Sequence, residues 1–337
     1  MGAVCFNSTL LKRCLTILAC ISLSISIAKA QKIAEGQTYP TKMIQVIVPF
    51  PPGGMDISLR FMQPFVEKEL GQKLIIENRS GANGYLGSEH VARSAPDGYT
   101  LLYNSSSSLL MLPLTSSVRL DAERDFAPIS NLVLVPEVLV VRSSLPVNSL
   151  AEYIEFLKKN PGKISYASPG TGSVPHVLGE TFARNIGVPM IHVAYRGNQA
   201  LLQALFGGEA DSAFVPVGIA KGGILSGNVK VLAIDKGEVS PDLPKVPDLT
   251  KVLPGFETIE AFAGFWAPAN TPKAIVEKLN RAINKAVEGP DVRSKLEDGG
   301  GIVSVGSPEA FAATVASNIA IAKKQVEAMK AAGIKFE

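Results

Sequence analysis

The feature that most constrains this chain is the regular exchange of short β-branched apolar runs with stretches of helical spacing. Met43-Ile44-Gln45-Val46-Ile47-Val48 is such a run, and it stops at Pro49-Phe50-Pro51-Pro52-Gly53-Gly54, a sequence that ends a strand in a loop. Ile57, Phe61, Phe65 and Leu70 then recur near the helical period, and Leu74-Ile75-Ile76 restores strand character. A strand, a crossover helix and a second strand favour a parallel pair, because the helix packs back on the sheet.

The exchange continues along the chain. A helix is expected from Gly84 to Arg93, a strand over Tyr99 to Tyr103, then the serine tract Ser105 to Ser108. Val138 to Val141 reads as a strand, and Ser149 to Lys159 as a helix whose Ser149 and Glu152 fit a capping box. Strands at Lys163 to Ala167 and Ile191 to Val193 alternate with helices at Pro175 to Ile186 and Gln199 to Gly207. Strands follow at Ser212 to Val215, Lys230 to Ile234 and Phe262 to Ala267, and the tail is helical over Lys273 to Val287 and Pro308 to Ala332. The expected fold class is α/β, with two doubly wound α/β domains. Residues 31–133 with 262–337 form the first, the tail packing back on it, and residues 134–261 form the second.

Residues 1–30 read as an export signal. Lys12-Arg13 precedes an apolar run, Cys14 to Ile27, which is short for a membrane span and ends at the small-x-small site Ala28-Lys29-Ala30. Cleavage is expected after Ala30, placing the mature chain in the periplasm; a lipoprotein signal ending at Cys20 is the alternative. The cysteines, Cys5, Cys14 and Cys20, all precede that site, so the mature chain has no thiolate chemistry and no disulfide. Lys12, Arg13 and Lys29 account for the formal charge of +3, which leaves a neutral mature chain. Without a lysine or arginine cluster, nucleic acid and anionic membrane surfaces are poor partners.

In open α/β sheets ligands bind at the carboxyl ends of strands, where loops and helix N-termini present free N–H groups. Pro49 to Asp56, Asn104 to Ser108, Ser168-Pro169-Gly170-Thr171-Gly172-Ser173 and Tyr195-Arg196-Gly197-Asn198 all stand at such ends. The third is a neutral cradle for an anion. Each loop also has a purely structural reading: a chain turn, a cap or packing role for His176, an N-cap role for Asp56, a salt bridge from Arg196 to Asp211. Signatures of catalysis are absent: no Gly-x-Ser-x-Gly, no phosphate-binding loop, no His-Glu-x-x-His, and only 3 histidines, His90, His176 and His192. Gly170-x-Gly172 is half of a dinucleotide fingerprint, but Pro175 replaces its third glycine and no acidic residue closes the next strand. No catalytic residue, metal site or cofactor is expected.

Several of these motifs occur together in one family. Val48-Pro49-Phe50-Pro51-Pro52-Gly53-Gly54 with Asp56 and Arg60, then Gly71-Gln72, Glu77-Asn78-Arg79 and Ala95-Pro96-Asp97-Gly98-Tyr99-Thr100, resembles the extracytoplasmic solute receptors of tripartite tricarboxylate transporters, the Bug family. Tyr166-Ala167-Ser168, Gly170 to Ser173 with His176, Tyr195-Arg196-Gly197, Gly207-Gly208 with Asp211, and Pro272 with Lys278-Leu279-Asn280 extend the likeness over nearly the whole mature chain. The resemblance implies a fold like the type II periplasmic binding proteins, with a ligand cleft between the two domains. It implies a monomer that closes on a small organic mono- or dicarboxylate and delivers it to membrane permease subunits. Carried over by position, Phe50, Pro52, Gly53, Gly54 and Asp56, with Ser105, Ser106 and Ser107, would contact ligand from the first domain. Ser168, Thr171, Gly172, Ser173, His176, Tyr195 and Arg196 would line the second. Two departures stand out: the first loop carries only Met55 between Gly54 and Asp56, one residue fewer than usual, and the last helix has Lys323-Lys324-Gln325 where a tryptophan is common. An exported hydrolase or transferase using Ser173 and His176, and a carboxylate-sensing receptor of the same fold, are the alternative readings.

Overall fold

A computed structural model describes residues 39–239 and 243–336. The expected signal over 1–30, its cleavage after Ala30, and Cys5, Cys14 and Cys20 lie outside the described residues. Of the first compact unit, Met1–Lys42, only residues 39–42 are described; everything below concerns the second, Met43–Glu337.

The chain starts in one sheet with β1 (Ile44–Val48), crosses through α1 (Gly54–Leu70) to β2 (Leu74–Asn78), and through α2 (Tyr85–Ala92) to β3 (Thr100–Ser105). A π-helical turn at Ser107–Met111 and the short α3 (Leu112–Thr115) lead to β4 (Phe126–Leu134). The second sheet then takes β5 (Glu137–Arg142), α4 (Leu150–Lys159), β6 (Ser165–Ser168), α5 (Val174–Ile186) and β7 (Ile191–Ala194). It continues with α6 (Asn198–Gly207), β8 (Ser212–Pro216), α7 (Val217–Leu225) and β9 (Val229–Ile234). After α8 (Leu249–Val252), β10 (Phe262–Pro268) returns to the first sheet, followed by α9 (Lys273–Glu288), α10 (Pro290–Asp298), β11 (Ile302–Val303) and α11 (Pro308–Ala331).

The first sheet has the order β11-β4-β10-β3-β1-β2, and the second β7-β6-β8-β5-β9. Their βαβ parts are parallel, as the crossover helices require: β1 pairs with β2 and β3, and β6 with β7 and β8. The strands that carry the chain between sheets run against them, so both sheets are mixed. β10 is antiparallel to β3 and β4, and β5 to β8 and β9. The result is the expected two-part α/β fold, with the ends of β1, β3, β6 and β8 turned toward the crossings.

Two elements depart from the sequence reading. β4 was not expected, because Pro128, Ser130 and Asn131 are poor strand residues; the sheet admits Pro128 at a register irregularity opposite Phe265 and Trp266. α7 is also unexpected, since Gly218, Gly222 and Gly223 give it weak helix propensity, and tertiary packing of Val217, Ala220 and Ile224 overrides that. The tail also does more than return to the first part. Phe311, Val315 and Ile319 of α11 join the core of the first sheet, while Ala322, Val326 and Met329 are buried in that of the second.

At the crossings, Glu137 opens β5 and Asp235 follows β9, both almost fully buried. The Asp235 carboxylate accepts from Glu137 N (3.0 Å), Lys236 N (2.8 Å) and Thr258 Oγ1 (2.8 Å), whereas Glu137 Oε2 has no partner among the described residues. Burial, with Asp235 nearby, holds the Glu137 carboxyl well above its usual range, and burial pushes Asp235 up to about 6. A raised folded-state pKa stabilises only below the unfolded value, and that contribution is lost as pH rises through the folded pKa. Glu137→Gln is therefore expected to melt higher relative to wild type as pH increases from 5 to 8. The check is a pair of melting curves across that range, and a constant difference between the two proteins would contradict it.

Candidate functional site

The first-lobe loop is shaped by its neighbours. Arg79 N donates to Val48 O (2.9 Å) and Asn78 Nδ2 to Phe50 O (3.0 Å), which ties the end of β2 to the loop after β1. Gly87 in α2 lets the loop approach, because a Cβ there would lie 2.8 Å from Pro49 Cβ and 2.7 Å from Arg79 O. α1 begins at Gly54 with Gly53 as its N-cap and no side-chain cap, so the N–H groups of its first turn are left for other partners. Asp56 is not the N-cap but lies inside that first turn, buried, with both carboxylate oxygens 3.0 Å from Arg60 Nε. Phe50 and Gly53 are half-buried, and Pro52 and Gly54 are exposed.

The serine tract divides. Ser105 and Ser107 are half-buried, with hydroxyls that meet no partner among the described residues. Ser106 is fully buried, and its hydroxyl accepts from Phe262 N (3.1 Å), fastening the end of β3 to the start of β10. Buried Asn104 holds the turn by donating to Ser88 Oγ (3.0 Å) and accepting from Ser105 N (2.7 Å), while Ser108 Oγ donates to Asn83 O (2.9 Å).

The second-lobe loop is more self-contained than its sequence suggests. Gly172 N donates to His176 Nδ1 (2.9 Å), Gly170 N to Ser168 Oγ (3.3 Å) and Ser173 N to Gly170 O (3.2 Å). The Ser173 hydroxyl caps α5 by accepting from His176 N and donates to Gly170 O (2.7 Å). Of the four residues Gly170 to Ser173, this leaves the amide of Thr171, itself exposed, without an internal partner among the described residues. The cradle expected from all these amides is therefore narrower, and His176 shapes the loop from below.

His176 does not act alone. Its ring stacks on His192 at 3.8 Å and 12°, with Tyr166 5.0 Å from His192, and His192 Nε2 lies 2.7 Å from Ser168 Oγ. Gly179 makes room for the Tyr166 ring, which a Cβ would meet at 2.2 Å, and the Tyr166 hydroxyl donates to Glu180 Oε1 (2.5 Å). His192 carries no local motif; it meets Tyr166 through the β6–β7 register. Burial lowers His176 to about 3, with His192 contributing, and lowers His192 to about 4, so both rings are neutral near pH 7. Because the folded pKa lies below the unfolded one, the unfolded chain takes up the extra proton: stability falls as pH drops from about 6.5 toward 4, with each ring's share limited to about 1.4 kcal/mol per pH unit. His192→Gln is expected to flatten that acid limb, as read from chemical denaturation at a series of pH values.

Ser173 and His176 do not form a nucleophile and base, since the hydroxyl meets the backbone N–H of His176 and the ring accepts from Gly172. Tyr195 follows β7, its N–H donating to Ser168 O (2.9 Å). Arg196 is exposed and does not pair with Asp211, whose carboxylate is taken by Arg142 Nε (2.9 Å) and by Ser165. Gly172, at φ +78°, packs against the first lobe: a Cβ there would lie 2.7 Å from Thr115 Oγ1. Across the same divide Phe336 packs edge-on against His176 at 5.8 Å, while Lys330 Nζ of α11 donates to Leu114 O (3.1 Å) within the first part. Thr115 went unnoticed in the sequence because nothing local marks it.

Two mixed α/β sheets joined by two crossings, with loop donors at the ends of the parallel strands, define the two-domain class of solute-binding proteins. The model of the tripartite tricarboxylate transporter family receptor matches residues 59–330, and the chain belongs to that family, as the Bug proteins do. It is 34% identical to Protein BugT of Bordetella pertussis over 309 residues, 90% of this chain and 94% of that one. Among solved structures it resembles MatC of Rhodopseudomonas palustris with bound malate (TM-score 0.73, 32% identity, 86% of this chain and 100% of that one). It also resembles an R. palustris protein solved with adipate (TM-score 0.76, 29% identity, 88% of this chain and 99% of that one).

Proposed function

We propose that this protein is a periplasmic receptor, not an enzyme, that captures a small organic mono- or dicarboxylate and delivers it to the permease of a tripartite tricarboxylate transporter. The observation that carries this reading is the uncapped start of α1 at the end of β1. Its free N–H groups and the positive end of the helix favour a carboxylate. Among the described residues, nothing engages the hydroxyls of Ser105, Ser107 and Thr171, and the exposed Arg196 meets no carboxylate, so three hydroxyl donors and a cation remain for a ligand. Malate and adipate, present in two similar proteins of known structure, are of the same chemical class. The closing bodies are residues 31–133 with 262–337 and residues 134–261, with α11 shared between their cores, and the receptor works as a monomer. Phe50, Pro52, Gly53, Gly54, Ser105 and Ser107 would meet the ligand from one side. Thr171, Gly172, Tyr195 and Arg196 would meet it from the other, with Ser168, Ser173 and His176 holding their loop in shape and Asp56 anchored by Arg60.

The test is a thermal-shift screen of residues 31–337 against mono-, di- and tricarboxylates, amino acids and neutral sugars. A ligand bound only by the folded state stabilises by mass action, about 2.7 kcal/mol at a hundred times its Kd. Strong shifts from carboxylates alone support the reading. Silence from every carboxylate, with a neutral solute stabilising instead, removes it.

A further inference from the structure

The loop Gly170 to Ser173 is held by two stacked histidine rings, and an aromatic residue far away in the chain backs one of them. Gly172 N donates to His176 Nδ1 (2.9 Å), so the neutral ring carries its proton on Nε2. Ser168 Oγ, which accepts from Gly170 N (3.3 Å), lies 2.7 Å from His192 Nε2. The rings lie 3.8 Å apart at 12°, so one cannot shift without disturbing the other. His192 covers one face of His176, and Phe336 meets the same ring edge-on, at 5.8 Å and 63°, within the range where aromatic pairs attract.

The end of α11 delivers Phe336 to that place. Gly333, at φ +83°, donates its N–H to Lys330 O (3.0 Å), and Ile334 N donates to Met329 O (3.0 Å), a pair of bonds that closes the helix and turns the chain back. Ile334 and Phe336, both half-buried, then pack against the second core. Lys330 also donates to Leu114 O (3.1 Å), and the next residue, Thr115, is the one that a Cβ on Gly172 would meet at 2.7 Å. Gly172 is thus bracketed by Thr115 and His176, with Phe336 behind the ring. We propose that Phe336 is a positioning residue for ligand binding: through His176 it keeps the loop in the arrangement in which no described residue takes the Thr171 N–H, which remains for a carboxylate. The role in binding rests on the receptor reading; the hold on the loop does not.

The titratable and charged groups about the ring are few. His192 comes from β7, Tyr166 of β6 donates its hydroxyl to Glu180 Oε1 of α5 (2.5 Å), Lys330 of α11 is engaged by Leu114 O, and Lys335, beside Phe336, is exposed. Burial, with His192 contributing, lowers His176 to about 3. Uncovering the ring edge lets water reach it and moves its pKa up toward the ordinary value of about 6.5. A ring protonated on Nδ1 cannot accept from Gly172 N, so the hold on the loop would be lost as pH falls through that higher value.

The test compares wild type, Phe336→Ala, Phe336→Tyr and Ile334→Ala over residues 31–337. Nuclear magnetic resonance follows Gly172 amide exchange and the His176 titration without ligand, and calorimetry follows malate as the probe. In Phe336→Ala the Gly172 N–H should exchange about threefold to tenfold faster. His176 should titrate between about pH 4 and 7, where the wild-type ring stays neutral. Malate affinity should fall by a similar factor at neutral pH, and further relative to wild type in acid. Phe336→Tyr keeps the ring and should restore all three. Ile334→Ala, which trims the same stretch against the same core, should lower the melting temperature and leave Gly172 and His176 as they are. The proposal is overturned if Phe336→Ala leaves exchange and titration unchanged, if Ile334→Ala alters them equally, or if the loop loosens while malate affinity holds. Failure of every carboxylate to bind wild type would remove the receptor reading and with it the role in binding, while the unliganded measurements still decide whether Phe336 holds the loop.

Discussion

Gly218→Ala is expected to weaken ligand binding by roughly ten- to a hundredfold while the protein still folds. Gly218, in the first turn of α7, meets the stretch after α10, and a Cβ on it would lie 1.7 Å from Gly299 O and 2.6 Å from Gly299 C. The atoms it would strike are backbone, so no side-chain rotation relieves the clash, and the reciprocal Cβ on Gly300 would lie 2.3 Å from Gly218 N. α7 belongs to the second lobe, whereas Gly299 and Gly300 lead into β11 of the first sheet. The two lobes must therefore move apart to admit one methyl group. Overpacking of this kind costs about 1–3 kcal/mol, and that cost falls on the state in which both lobes touch the ligand. Gly222→Ala on the same helix is the control, since nothing lies within 4 Å of its Cβ position. Removing a glycine from a helix interior should leave affinity intact and add about 0.5–1 kcal/mol of stability. Calorimetric titration of both variants decides the matter, and equal affinities would mean that the glycine contact plays no part in the bound state.

Trp266→Ala should give the largest loss of stability, about 3–5 kcal/mol. Trp266 is fully buried in β10 among Phe311 at 4.6 Å, Phe126 at 6.3 Å and Phe262 at 6.3 Å. Its partners come from β4, β10 and α11, so the cavity opens where three distant parts of the chain meet and cannot readily collapse. For a chain of this size the melting temperature should fall by roughly 6–20 °C. Trp266→Phe should cost clearly less: it keeps a ring in the cluster and removes the indole N–H, which has no partner among the described residues. Ligand affinity measured well below the melting temperature should change little in either variant, because the proposed binding loops lie at the strand ends. Thermal melts alongside titrations separate the two effects.

Much of the fold was legible because short apolar strands and amphipathic helices announce themselves locally. The N-terminal cap of α4 is an example: Ser149 Oγ accepts from Glu152 N as expected, while the Glu152 carboxylate reaches back to Asn148 N, one residue before the cap, instead of closing the box on Ser149 N. The loops after β1, β3, β6 and β7 were legible for the same reason, since proline, glycine and serine after a strand mark an exposed end. What stayed hidden depends on pairing across the chain. β4 exists because its neighbours tolerate Pro128 at an irregular register, and His192 matters because β6 brings it under Ser168 and His176. The donors of Ser168 to Ser173 can be counted in the sequence, but which of them face inward is set by a histidine ring, a serine hydroxyl and the carbonyl oxygen of Gly170. Arg196 and Asp211 look like natural partners until Arg142 is seen to occupy the carboxylate.

The last helix has a mechanical consequence. α11 is anchored by Phe311, Val315 and Ile319 in one core and by Ala322, Val326 and Met329 in the other, with no break in its helical backbone. A stiff rod set into two bodies removes most of their relative freedom: sliding along it, or shearing across it, would pull one set of side chains from its socket. Swivelling about an axis near the helix, by contrast, leaves both ends seated. The lobes are thus confined to a narrow arc, and in the proposed receptor a ligand would select a position along one path instead of searching among many.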